Sequence, residues 1–371
     1  MGAAALFAAV ASLVAGLWLR GRGLRALAGV WLAGALLCAL RPALGTGLAA
    51  GLAAAGAAAA AVRLPERVLR RACFALPSLV LLVFVTSALM YLAPGSPFAR
   101  ERAAPPEVEA ALRAEYGVPE SATAFFAAYL EGVLVEGTLG PSIKVAGRNV
   151  EELLAPALPV SLSLGVLALL LAVVLGVGLG VRAGLRPGSA EDAASMGLAL
   201  VGISLPNFVI GAGLIWVFSL ELGWLPVAGW GGTAHLLLPA VTLALPTAAT
   251  LARLARSGTL EVMGQDFIRT ARAKGLPERE VVMKHALRGA LLPVVSYLGP
   301  AAAAIMTGSF VVETLFGVPG MGQWFVKGAI NRDYSVVLGT SLVYFAMITS
   351  FNLCVDLSLG WLDPRLREDE P

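Results

Sequence analysis

Six apolar runs, at about 72–93, 157–181, 193–220, 235–251, 290–312 and 335–357, constrain this chain more than any other feature. Each approaches or exceeds the ~20 residues that carry a helix across the hydrocarbon core of a bilayer. Composition agrees with that reading. The 371 residues are 58% hydrophobic and 14% charged, and a soluble exterior of this size would need more charge. The expected fold is all-α and integral to a membrane. A net charge of +3 is too small to argue for nucleic acid. Cys38, Cys73 and Cys354 lie far apart, in or beside apolar runs, and suggest neither a disulfide framework nor a metal site.

Arginines set the expected orientation, because short cytoplasmic loops carry the basic excess. Arg63, Arg67, Arg70 and Arg71 precede the first run, and Arg182 and Arg186 separate the second from the third. A charged stretch at 266–280 separates the fourth from the fifth, and Arg365 and Arg367 follow the sixth. All four clusters then fall on the cytoplasmic side. The long loop at about 95–156, with nine acids and five bases, falls outside. Within it, "PPEVEAALRAEYG" reads as a short helix with a proline start and a glycine stop. "ATAFFAAYLEGVL" reads as an amphipathic helix with Phe125, Phe126, Tyr129 and Leu130 on its apolar side. Both suit an ordered external cap packed on the membrane domain. Residues 1–62 form a separate extension, with apolar runs at about 3–19, 26–40 and 43–62. They read as two or three further spans, or a re-entrant arrangement, so the chain divides into 1–62 and a membrane domain at 63–371.

Several chemistries have no signature here. None of the four lysines follows a glycine, so no GxxxxGK[ST] phosphate loop exists. His235 and His285 are too far apart for an HExxH zinc pair, and no GxSxG elbow occurs. "GVGLG" at 176–180 lies inside an apolar run, where small residues let helices approach closely. It reads as a packing stripe and not a nucleotide loop.

The stretch "DFIRTARAKGLPERE" at 266–280 is the exception in this apolar chain, with Arg269, Arg272, Lys274 and Arg279 among three acids. "VMGQDFIRTARAKG" reads as a helix stopped at Gly275, where a left-handed turn needs no Cβ. Arg272 and Lys274 suit its negative end. Pro277 suits the first turn of a second helix, with Glu278 and Glu280 at its positive end. A loop that only holds topology needs no such turn, so the architecture favours a docking knob on the cytoplasmic face.

The segment "RTARAKGLPEREVVMKHALRGALLPVV" resembles the cytoplasmic loop of inner-membrane permease subunits of ABC importers, in the dipeptide/oligopeptide/nickel branch. "LAPGSP" (92–97), "GTLGPS" (137–142), "GISLPNF" (202–208), "LGWLPVAGW" (222–230), "LLLPAVTLALP" (236–246), "VVETLFGVPGMG" (311–322), "NRDYSVV" (331–337) and "DPRLR" (363–367) resemble that branch in the same order. The resemblance covers about 66–367. Arg269, Thr270 and Ala271 stand where the general permease loop has Glu-Ala-Ala, and Gly275 keeps its place. Ser96 and Thr138 stand where the branch usually has Asp, which removes two external negative charges.

The resemblance implies a six-helix type I ABC importer permease core, with the N-terminal helices as an addition. It implies a half-pore for peptides or a similar small solute in a bacterial inner membrane. The partners implied are a homologous second permease, two cytoplasmic ATPases that bind the ATP, and an extracytoplasmic binding protein. The chain itself would carry no cofactor and no catalytic residue. The coupling loop would span 252–289. Its ATPase contacts would be Asp266, Arg269, Ala271, Arg272, Ala273, Lys274, Gly275, Leu276 and Glu278. Candidates for the substrate path are Ser204, Pro206, Asn207, Gly308 and Glu313. Pro206 would break the backbone ladder of the third span. Glu313 is costly at membrane depth unless it serves function or bonds the Gly/Pro-rich turn after it. Alternatives are an importer of another solute such as nickel, an intramembrane enzyme, or a stand-alone channel.

Overall fold

The structure, a computed structural model, describes residues 66–93, 97–98, 106–116, 118–119 and 121–362. The expected extension at 1–62, Ser96 and the "DPRLR" stretch lie outside the described residues. Among those described, every regular element is a helix, accompanied by one isolated β-bridge between Pro141 and Asn149.

Among the described residues, four helices are long and apolar enough to cross a membrane: α4 (Val150–Leu185), α7 (Thr233–Met263), α9 (Leu292–Leu315) and α10 (Tyr334–Leu362). Helix α1 (Glu66–Leu92) adds a shorter apolar stretch from Pro77 to Leu92. The third apolar run departs from the single helix expected at 193–220. It is two helices, α5 (Ala190–Ser204) and α6 (Asn207–Leu214, continued as a π-turn Ile215–Glu221), bent by 111°. Pro206 is the reason. It has no N–H to continue the ladder, and it drives Leu205 into extended backbone at φ −90°, ψ 132°.

The described residues fall into two compact units. One contains residues from 66 to 154 and from 324 to 349. Here α2 (Pro106–Glu115) and α3 (Ala122–Glu131) form the two helices expected in the long loop. Phe125, Tyr129 and Leu130 are buried, and Phe126 packs beside them with its ring edge-on to Phe84 at 5.6 Å. Tyr91, Phe125 and Tyr334 form an aromatic triangle with centroids 5.4–5.9 Å apart, and the Tyr91 hydroxyl donates to the Pro119 carbonyl at 2.6 Å. The loop before α4 is tied down as well. Ser142 Oγ and the Lys144 N–H both donate to Asp333 Oδ2, at 2.5 and 3.1 Å. The Thr138 hydroxyl donates to Glu151.

The other unit contains residues 155–323 and 350–359. Its centre is α7, 56% of whose most apolar window is buried, against 33% for α4. Helix α4 reaches α7 through glycines four residues apart. A Cβ on Gly176 would sit 2.6 Å from the Ala248 carbonyl oxygen and one on Gly184 2.7 Å from Thr259 Cβ, while one on Gly180 would overlap the Ala252 carbonyl. Gly178, on another face, meets nothing within 4 Å. The "GVGLG" stretch is thus the packing stripe its sequence suggested.

Candidate functional site

The charged stretch at 266–280 begins where α7 ends. Helix α7 runs on to Met263, so the first residues of the expected 252–289 loop are a continuation of the fourth span. It does not flow unbroken into the next helix. Gly264 and Gln265 interrupt it, and α8 (Asp266–Ala273) starts from Gln265 in extended backbone at φ −81°, ψ 154°.

The stop of α8 follows from Gly275, at φ +78°. Its N–H donates to the Arg272 carbonyl at 2.9 Å, and the Leu276 N–H to the Ala271 carbonyl at 3.4 Å. This pair of bonds, with Leu276 and Ala271 in one apolar cluster, is the Schellman closure of a helix. No atom lies within 4 Å of a Cβ built on Gly275, so backbone angle alone selects glycine there. Pro277 differs from its expected place inside the next helix. It is extended, at ψ 145°, and precedes the short helix Glu278–Glu280, which passes through a π-turn (Val281–Ala286) and Leu287–Ala290 to α9.

Underneath, Val262, Ile268, Ala271, Val281, Ala286 and Ala290 close a small core, with Ile268 and Val281 fully buried. Ala271 and Leu276, expected among the contact residues, turn inward to this core. The reason is their position at the Schellman closure. Asp266, Arg269, Arg272, Ala273, Lys274, Gly275 and Glu278 are exposed as a contact surface requires. Arg272 forms a two-bonded pair with Glu278, at 2.6 and 3.1 Å, across the Gly275 turn. That hydrogen-bonded guanidinium holds the Glu278 carboxyl below its usual range. Lys284 does the same to Glu280. Two residues were not signalled by the charge pattern: Phe267 is 46% exposed and Met283 64% exposed. A large apolar side chain inside a charged stretch is the sequence sign that marks them.

The candidates for the substrate path divide. Ser204 and Pro206 are exposed and Asn207 half-buried at the bend between α5 and α6, while Gly308 lies within α9. Glu313 goes elsewhere. It is fully buried; Oε1 accepts from Ser161 Oγ at 2.7 Å and Oε2 from the Gly322 N–H at 2.7 Å. Ser161 Oγ accepts in turn from the Met321 N–H, and the Glu313 carbonyl from the Val318 N–H, both at 2.8 Å. A Cβ on Gly320 would collide with the carboxylate, and one on Gly322 would come within 2.8 Å of it. The "GVPGMG" glycines therefore make room for a buried carboxylate that fastens its own turn. Glu313 lines no surface of the described chain.

A second polar constellation lies at the start of α5. Asp192, in its first turn, accepts from Arg256 Nε at 2.5 Å, Arg256 Nη2 at 2.8 Å and the Gly188 N–H at 3.0 Å. Nothing in the apolar pattern of the sequence pairs these two residues, which stand 64 positions apart.

The family model described as "Binding-protein-dependent transport system inner membrane component" matches residues 176–368. The chain is 46% identical over 302 residues to the oligopeptide transport system permease protein OppB of Salmonella typhimurium, covering 81% of this chain and 98% of that one. It is 40% identical over 290 residues to the dipeptide transport system permease protein DppB of Bacillus subtilis, covering 78% and 94%. A solved structure of the MetNI methionine ABC transporter in an inward-facing conformation aligns with a TM-score of 0.49 at 19% identity, over 57% of this chain and 97% of that one. The transmembrane helices and the family match together make this a multi-pass inner-membrane permease subunit rather than an enzyme, and the chain belongs to the family of binding-protein-dependent transport system inner membrane components.

Proposed function

We propose that this permease forms half of the pathway for peptides in an ATP-driven importer, and that residues 266–280 dock on a cytoplasmic ATPase. Peptide as the solute is supported by the names of relatives that match nearly end to end, one an oligopeptide and one a dipeptide permease. The other half of the pathway is a homologous permease. Two ATPases supply the nucleotide chemistry for which this chain has no phosphate loop, and an extracytoplasmic binding protein delivers the solute. Residues 63–371 make up the permease domain, and residues 1–62 are an accessory anchor.

One observation carries the docking. The loop has closed its own core, yet it leaves Phe267 and Met283 exposed on a segment outside the spans. An exposed aromatic side chain among arginines suits an interface anchor, since aromatic residues and arginine rank among the strongest anchors of interfaces. Phe267→Ser and Gly275→Val test it, the second because a β-branched residue is strained at positive φ. Both variants should insert and meet the second permease while the ATPases no longer co-purify, and wild-type co-purification in both would refute docking. Uptake of labelled di- and oligopeptides against nickel by the reconstituted complex tests the solute.

A further inference from the structure

We propose that Asp192 and Arg256 form the joint through which movement of the 266–280 loop reaches the bent span α5–α6. The proposal rests on the docking reading above. Three basic residues reach the two acids at the start of α5. Arg182 and Arg186 pair with Glu191 at 4.0 and 2.9 Å, with all three side chains at least 44% exposed. Such pairs contribute little and rearrange freely. Asp192 differs: its side chain is 7% exposed, and Arg256 holds both of its oxygens. A fork of two parallel bonds fixes orientation as well as distance. The Gly188 N–H binds the same carboxylate, and Ser189 Oγ caps the Asp192 N–H, so the acid is immobile relative to its own helix.

Arg256 sits two turns before the end of α7. Beyond it the loop is bolted to that helix. Val262 of α7 packs with Ile268 and Ala271 of α8, and a Cβ on Gly258 would overlap the Ala290 carbonyl. The end of α7 and the loop must therefore move together. Asp192 attaches α5 to that body at one end. At the other end, a Cβ on Gly202 would lie 3.2 Å from Ala249 Cβ and 3.4 Å from the Leu245 carbonyl, two residues before the bend. Helix α6 then packs close to α7 and the end of α9, where a Cβ on Gly211 would meet Leu315 at 2.7 Å and Thr242 at 3.3 Å. Helix α5 lies against α7 along its length, with Ser195 and Ala199 buried, and Asp192 adds a polar, directional attachment at the end near the loop. Apolar contacts slide more readily than a two-bonded fork, so the fork fixes where along α5 a displacement of α7 is registered. Asp192 and Arg256 act as positioning residues; neither is placed to touch solute or nucleotide.

The test uses the full complex in proteoliposomes, with its second permease, ATPases and peptide-loaded binding protein. Asp192→Asn, Arg256→Gln, Arg256→Lys and the exchange D192R/R256D are compared for ATPase co-purification, stimulation of ATPase by loaded binding protein, and peptide uptake. The joint requires that each single variant retain its ATPases while stimulation falls at least about 5-fold, the lower end of ordinary coupling between sites. Arg256→Lys keeps the charge and loses the fork, so it must be impaired too, and the exchange must recover much of the loss. A pair that only holds the fold would lower the yield of complex and leave stimulation per complex unchanged; that result overturns the proposal, as does loss of the ATPases in the single variants. Normal coupling in all four variants, with Phe267→Ser still shedding its ATPases, would overturn the joint and leave docking standing. Wild-type behaviour of both Phe267→Ser and Gly275→Val would remove the docking premise and the joint with it.

Discussion

Gly178 and Gly180 lie two residues apart on one helix, and alanine should act on them with opposite signs. At 180 a new Cβ would overlap the Ala252 carbonyl oxygen and lie 2.7 Å from Ala255 Cβ. Carbon atoms pack best at ~3.5–4.0 Å, so α4 would have to retreat by roughly 1 Å from a backbone that cannot rotate away. Overpacking of this kind costs about 1–3 kcal/mol, and the better helix propensity of alanine offsets about 0.5–1 kcal/mol of it. The net loss centres on about 1 kcal/mol, a factor of roughly 5 in the folded-to-unfolded ratio. At 178 nothing lies within 4 Å, so only the propensity gain of about 0.5–1 kcal/mol remains. Both variants and the wild type would be titrated with SDS in mixed micelles, with tryptophan fluorescence as the readout. The expected order of midpoints is Gly178→Ala, wild type, Gly180→Ala. Equal midpoints for the two alanine variants would refute the claim that the 176–184 glycines exist for contact with α7.

Three further outcomes follow from the same physical reasoning. Glu313→Gln replaces one of the two carboxylate oxygens, which accept from Ser161 Oγ and the Gly322 N–H, by an amide group that cannot accept; it should cost about 1–3 kcal/mol, and unchanged SDS midpoints would count against the buried clasp. A single cysteine at 144 in a cysteine-free background should react with an impermeant maleimide in intact cells while one at 274 should not, since the basic clusters place 266–280 inside; labelling at 274 would reverse the orientation. Deleting 1–62 should leave assembly and peptide uptake intact; an inserted, assembled complex that cannot transport would give the extension a role in the pathway.

The turn at 266–280 was legible because its determinants are local. Gly275, Pro277 and the flanking charges act within a few residues of themselves, and the left-handed φ at Gly275 is where the sequence placed it. The same locality sets the limit. A charge pattern does not show which face of a short helix turns inward, so it does not separate Ala271 and Leu276, which pack on the underside, from the exposed residues beside them. Nor could apolar length distinguish a straight third span from one bent by 111°; Pro206 announced a break in the ladder but not its angle, which depends on what each half packs against.

Glu313 and Asp192 show where local reading ends. A carboxylate in an apolar run must find donors, and that much follows from the cost of burying charge. Which donors it finds is a property of the fold. Ser161 lies 152 positions from Glu313, and Arg256 lies 64 from Asp192, distances over which helical periodicity carries no information. The glycines give the better handle. Gly176, Gly180 and Gly184 recur every fourth residue and so lie on one face, and the small residues Ala248, Ala252, Ala255 and Thr259 of α7 occupy the same kind of face. Two small-residue faces that meet bring backbones close and fix the register of one helix on the other. With that register set, Arg256 is carried to the end of α7 that leads into 266–280, beside the turn that follows α4, and the acid at the third position of α5 becomes its buried partner. The ion pair is then a consequence of the glycine stripe. Gly180→Ala, by shifting that register, should weaken coupling in the same assay as Asp192→Asn.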